Sequence, residues 1–327
     1  MVNVRYGRGV GLVGLALLVV LASVGQGYGQ LGRIGGIKDK LKEKTPSLSS
    51  LLKGKPPITT SLEDAGFGVD SMDNFVPPTM AASLTSLERT LKGGFILRQG
   101  YFVMPAQSYC LKAGTHGPGG GDGYLYGPTE GPAEEAVMSI VRNSVAYSEI
   151  PQRQIQLLLW AIIARAKFED LSTELKAIAS RLLTPQQLAM LNRSGLDAVP
   201  DSVMQKLLGE APAGVRQTLA AEGKLRQMLT SPGSSFAEME RVAVLSGMAP
   251  LGEGSRTVPS GRWSLHPDGY YVRYLPSGYS TTRVEIWVPG DSRAVGKEFD
   301  PATHIAVPGN TARQRLIQSG RPVASDR

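Results

Sequence analysis

The sequence predicts an α+β fold: short antiparallel strands, a central bundle of six or seven helices, and a C-terminal antiparallel β hairpin or small sheet. Three observations carry this expectation. Residues 94–113 hold brief β-prone runs, Phe95-Ile96-Leu97, Tyr101-Phe102-Val103-Met104 and Ser108-Tyr109-Cys110-Leu111, divided by Gln99-Gly100 and Pro105-Ala106. From 133 to 247 helix signals dominate: Pro132 and Pro151 sit where a first turn tolerates a missing N–H, and Thr184/Gln187 and Ser235/Glu238 have capping-box spacing. From 270 to 288, Tyr270, Val272 and Tyr274, then Thr282, Val284, Ile286 and Val288, alternate with their neighbours around a Pro276-Ser277-Gly278 turn.

Taken in order, residues 1–29 read as a cleavable export signal. Arg5 and Arg8 precede an uncharged apolar run from Gly9 to Val24, and Gly27 and Gly29 supply small residues before Gln30. That run has 16 residues, short of the roughly 20 needed to span a bilayer. The only cysteine is Cys110, far from the run, so no lipid anchor is expected and the mature protein is expected in the periplasm or outside the cell. Residues 30–93 are polar, with Pro56-Pro57 and Pro77-Pro78, and read as a linker or loosely attached arm. Residues 94–247 form the expected strand-plus-helix main domain, although 114–132, with eight glycines and three prolines, reads as a loop. Its centrepiece is the run Leu157 to Ala164, apolar on every face and therefore enclosed by its neighbours. Residues 248–310 form a C-terminal β segment, and 311–327 a basic tail.

The formal charge of +7 does not point to nucleic acid. Arg5 and Arg8 account for two charges and residues 30–60 for a surplus of five, so everything after residue 60 sums to zero. A nucleic-acid reader needs its surplus on the folded domain. At most, the basic stretch adheres weakly to an anionic membrane or wall polymer. His116, His266 and His304 are far apart and the cysteine is alone, so neither a metal site nor a cofactor is expected. Nucleotide-binding glycine motifs and a GxSxG elbow are missing, and no catalytic set can be assigned.

Cys110 is the residue with most chemistry open to it. It reads as a buried apolar side chain, a link to another chain, or a reactive thiol. A cysteine hydrolase needs a histidine base. Only His116, six residues on, is near in sequence. Tyr109-Cys110-Leu111, followed on a helix by Gln156-Leu157-Leu158-Leu159-Trp160, resembles the thioester domains of bacterial surface proteins over about residues 95–168. The resemblance implies an internal thioester between Cys110 and Gln156, flanked by Trp160, that captures amines on a target. Lys112 stands where that family has Asp, and Leu158 where it has Ala. Tyr271, Arg273 and Trp287 are candidates for a surface that binds a protein or glycan at the cell envelope. The functional expectation is an exported protein acting by binding or adhesion. An envelope hydrolase, cysteine or carboxylate based, and a structural protein disulfide-linked through Cys110 are the alternatives.

Overall fold

The β-prone runs on either side of the helices do form strands, but they pair with one another rather than forming separate sheets. The computed structural model describes residues 56–119, 121–193 and 213–323. The expected signal at 1–29, most of the basic stretch of 30–60, and the last four residues of the tail lie outside the described residues.

The strands are β1 (Ala81–Ser83), β2 (Phe95–Ile96), β3 (Gly100–Cys110), β4 (Thr115–His116) and β5 (Tyr124–Pro128) before the helices. After them come β6 (Val244–Leu245), β7 (Ser264–Leu265), β8 (Tyr271–Ser277), β9 (Thr281–Val288), β10 (Glu298–Phe299), β11 (His304–Pro308) and β12 (Leu316–Pro322). Between them lie six helices among the described residues: α1 (Glu134–Asn143), α2 (Gln152–Ile163), α3 (Thr173–Leu182), α4 (Pro185–Arg193), α5 (Ala213–Thr230) and α6 (Phe236–Ala243).

The expected helical bundle with a terminal hairpin is corrected by the sheet. Strands β3, β12, β11, β5, β8 and β9 follow one another, every pair antiparallel, and β9 returns to β3. The result is a closed six-stranded barrel with extra strands, which leaves none of its six members as an open edge. The expected β8–β9 hairpin is present, but it is one third of the wall. Three strands were hidden for a physical reason. β5, β11 and β12 are buried on nearly every residue, so they show no alternation, and each carries Gly or Pro. Gly127 in β5 marks close packing: a Cβ there would meet Thr60 Oγ1 at 2.8 Å and Val307 Cγ2 at 2.7 Å. Residues 58–87 also lie on the barrel, with Ile58, Thr60 and Leu84 buried and β1 parallel to β3.

Register assigns the two faces, since side chains alternate along each strand. Phe102, Ile286 and Val272 oppose one another, as do Met104, Val284 and Tyr274, and all are buried in the interior. Cys110 opposite Leu316 continues that inward row at the far end of β3.

Helix α2 packs against β3, α1, α3 and α5, and Ile155 to Ile163 are buried without interruption, as the apolar run requires. Its C-terminus lacks the usual glycine. Arg165 takes the left-handed position at φ 53°, with Ala166 N–H donating to the Ala161 carbonyl and Arg165 N–H to that of Ile162. Both capping boxes form, Thr184 with Gln187 and Ser235 with Glu238. Trp160 lies at the centre of this packing with no exposed surface. Trp160→Ala is expected to lower unfolding free energy by about 3–5 kcal/mol, measured by urea denaturation. A loss below about 1 kcal/mol would contradict its place in the core.

Candidate functional site

Strand β3 outruns its partner. Pairing with β9 ends at Gln107 opposite Thr281, and one further backbone bond joins Ser108 N–H to the Ser280 carbonyl at 2.9 Å. On the other edge β12 continues, with Tyr109 opposite Ile317 and Leu111 N–H donating to the Arg315 carbonyl. The β9 side is therefore left with the Ser108 carbonyl and both polar groups of Cys110, all needing partners in a buried place. Two glutamines one turn apart on α2 supply them. Gln152 Nε2 donates to the Ser108 carbonyl at 3.1 Å and to that of Ser280 at 2.6 Å. Gln156 Oε1 accepts from Cys110 N–H at 2.8 Å, while its Nε2 donates to the Cys110 carbonyl at 3.2 Å. The carboxamide thus replaces a peptide group of the absent strand. Its orientation follows from the partners, one a donor and one an acceptor.

Cys110 and Gln156, 46 residues apart in sequence, are in direct contact and both are buried. Burial, and next the Glu240 carboxylate, raise the Cys110 thiol well above its ordinary range. Trp160 lies one turn beyond Gln156; its ring stacks on Phe236 at 5.5 Å and stands 6.5 Å from Tyr279. Its Nε1 has no hydrogen-bond partner among the described residues, so Trp160 contributes ring and apolar contacts. A cleft of about 230 Å³ opens between Ser108, Gln152, Gln156, Phe236 and Tyr279. Tyr279, in the β8–β9 turn, donates to Glu240 of α6. Gln152, Phe236, Tyr279 and Glu240 were not legible as site residues, because they come from three separate stretches of chain. A second pocket, of about 290 Å³, has its arginines already committed: Arg165 to Glu222, and Arg226 to the Ala164 carbonyl.

Tyr271, Arg273 and Trp287 share the outer face of the barrel. Tyr101, Trp287, Tyr271 and Leu265 oppose one another across β3, β9, β8 and β7. Trp287 stacks on Tyr271 at 5.1 Å and meets Phe75 at 4.6 Å on its other contact. Arg273 is held by the buried Glu285 and lies over the Trp263 ring at 4.3 Å. These residues are drawn into packing with the segment around Phe75, and they lie on a different part of the barrel from the Cys110 cleft.

The histidines take no part in that cleft: among the described residues none is bonded to Cys110. His266 and His304 gather instead with Tyr126, Tyr270 and Phe299 at ring separations of 4.4 to 6.4 Å. His304 Nδ1 faces the Asp300 carbonyl at 2.7 Å and therefore carries the proton, so Nε2 accepts from Tyr270 Oη at 2.8 Å. Burial, followed by the neighbouring His266, pushes His304 down to about 3. The unfolded chain, with histidine near 6.5, binds the proton first. Stability contributed by neutral His304 is thus complete above pH ~6.5 and is lost as pH falls toward the folded value, by about 1.4 kcal/mol per pH unit. Urea unfolding between pH 7 and 4 is expected to show this slope, and His304→Gln to lose about one proton's share of it. An unchanged slope in the variant would contradict the assignment.

Comparison with protein-family models, with curated proteins and with solved structures finds no match to this chain.

Proposed function

We propose that this is an exported envelope or extracellular protein that binds its target covalently, through a thioester between Cys110 Sγ and Gln156 Cδ. The observation that supports this most directly is the contact between the strand-end cysteine and the glutamine of α2, both enclosed beside an open cleft. The chemistry balances without a cofactor: Sγ bonds Cδ, the Cδ–Nε2 bond breaks, and the thiol proton leaves with nitrogen as ammonia. Cys110 N–H, at 2.8 Å from Gln156 Oε1, already occupies the place of an oxyanion donor. Enclosure protects the resulting acyl group from water, while the cleft admits an amine. The partner is accordingly a protein or glycan surface that carries primary amines. The hydrolase alternative has less support, because such an enzyme needs a histidine base and among the described residues no histidine is bonded to Cys110.

A second reading rests on the same two hydrogen bonds. In it Gln156 is a non-covalent lock that closes the end of β3, and Cys110 is an inert core side chain. Either way, Gln156→Ala strands two buried backbone groups, each costing about 1–3 kcal/mol, so stability does not separate the readings.

Intact mass does separate them. The purified mature protein is expected to be one ammonia lighter than its sequence. Methylamine is expected to add to Gln156 and release a thiol that alkylating reagents then label. Cys110→Ala and Gln156→Ala abolish the deficit, whereas Gln154→Ala does not. A full mass in freshly purified protein overturns the thioester and leaves the lock.

A further inference from the structure

We propose that Tyr279 and Glu240 form the proton route of the Cys110–Gln156 cleft, taking a proton from the incoming amine and returning it to the departing sulfur. This inference rests on the thioester reading and adds two residues to it. Tyr279 lines the cleft beside Gln156 and its hydroxyl donates to the Glu240 carboxylate. Its ring also meets Trp160, which fixes it from the other side. Gln156, which lines the cleft with Tyr279, is bonded through its carboxamide to both polar groups of Cys110. The Gln156 carboxamide, the phenol and the carboxylate behind it therefore meet at one cleft, although α6, the β8–β9 turn and α2 are far apart in sequence.

The reaction demands such a route. An amine attacking Gln156 Cδ must shed one proton as its nitrogen becomes an amide. Cys110, whose thiol is held well above its ordinary range first by burial and then by Glu240, leaves poorly as a bare thiolate. Burial, and next the bond to Glu240, also raise the Tyr279 phenol, so the hydroxyl is no resting base. It passes a proton only because a carboxylate stands behind it. As the Nε–Cδ bond forms and the Cδ–Sγ bond breaks, the amine proton moves to Tyr279 Oη and the phenolic proton to Glu240. The reverse transfer delivers one proton to Sγ. The products are an amide on Gln156 and a free thiol, with no change in oxidation state. The carboxylate charge also draws an ammonium group to the cleft over a neutral alcohol, and that group loses one proton to solvent before its neutral amine attacks.

The test uses the full mature protein with methylamine as probe, and reads the mass deficit and the rate of adduct formation in wild type, Glu240→Gln, Glu240→Asp and Tyr279→Phe. Tyr279→Phe keeps the ring against Trp160 and serves where a Glu240 variant does not fold. With the deficit present, Glu240→Gln and Tyr279→Phe are expected to react roughly 100-fold more slowly, with partial recovery in Glu240→Asp. Recovery in Glu240→Asp separates the two roles, because it restores the carboxylate while shortening the side chain, whereas a packing role is met by the isosteric Glu240→Gln. Variants that keep the deficit and react at the wild-type rate overturn the proton route while leaving the thioester intact. A deficit lost in Glu240→Gln but restored in Glu240→Asp supports the route run in reverse, with ammonia departing; failure of Glu240→Asp to restore it counts against the route. A wild-type protein of full mass removes the thioester, and this inference with it.

Discussion

The place where β3 extends beyond β9 sets much of the rest of this structure. A buried strand edge cannot leave N–H and C=O groups without partners, because each orphan costs more than an average hydrogen bond contributes. The molecule meets that demand with two carboxamides from α2, Gln152 and Gln156, spaced one turn apart to match the alternate residues Ser108 and Cys110. This register ties the helix to the barrel at one height and one rotation. With Gln156 turned toward β3, Ile155 and Leu157 to Ile163 are all buried around it, and Trp160 falls beside Phe236 and Tyr279.

The same constraint supplies the geometry on which the proposed chemistry rests. A glutamine brought in to serve backbone groups arrives with its carbonyl polarised by the N–H of a cysteine, in a place from which bulk water is excluded. The barrel contributes rigidity: β3 is held by β12 on one edge and by β9 on the other for most of its length. The helices contribute the cleft wall, through Phe236 and through Glu240 behind Tyr279. Neither layer carries the site alone.

Elsewhere the barrel is held by polar groups that are paired rather than exposed. Glu285, on the outer face, is buried and bonded to Arg273, while Arg262 ties the segment at Asp70 and Asp73 to the wall. His304 is kept neutral between the Asp300 carbonyl and Tyr270. The aromatic residues proposed as a binding surface belong to this packing, with Trp287 between Tyr271 and Phe75.

What the sequence determined by itself is local. The capping boxes at Thr184 and Ser235, the all-round burial of Leu157 to Ile163 and the β8–β9 hairpin were legible, because each rests on residue spacing or a short motif. The tertiary structure decided the architecture. Strands β5, β11 and β12 are buried on both faces and carry Gly or Pro, so they lack the period of two that identifies a half-exposed strand. Their partners lie as far away as β3 and β12, more than 200 residues apart, a pairing that no window on the chain can register. Tyr279 and Glu240 joined the site for the same reason. A turn residue and a helix residue carry no sign of the cleft they share until barrel closure brings them together.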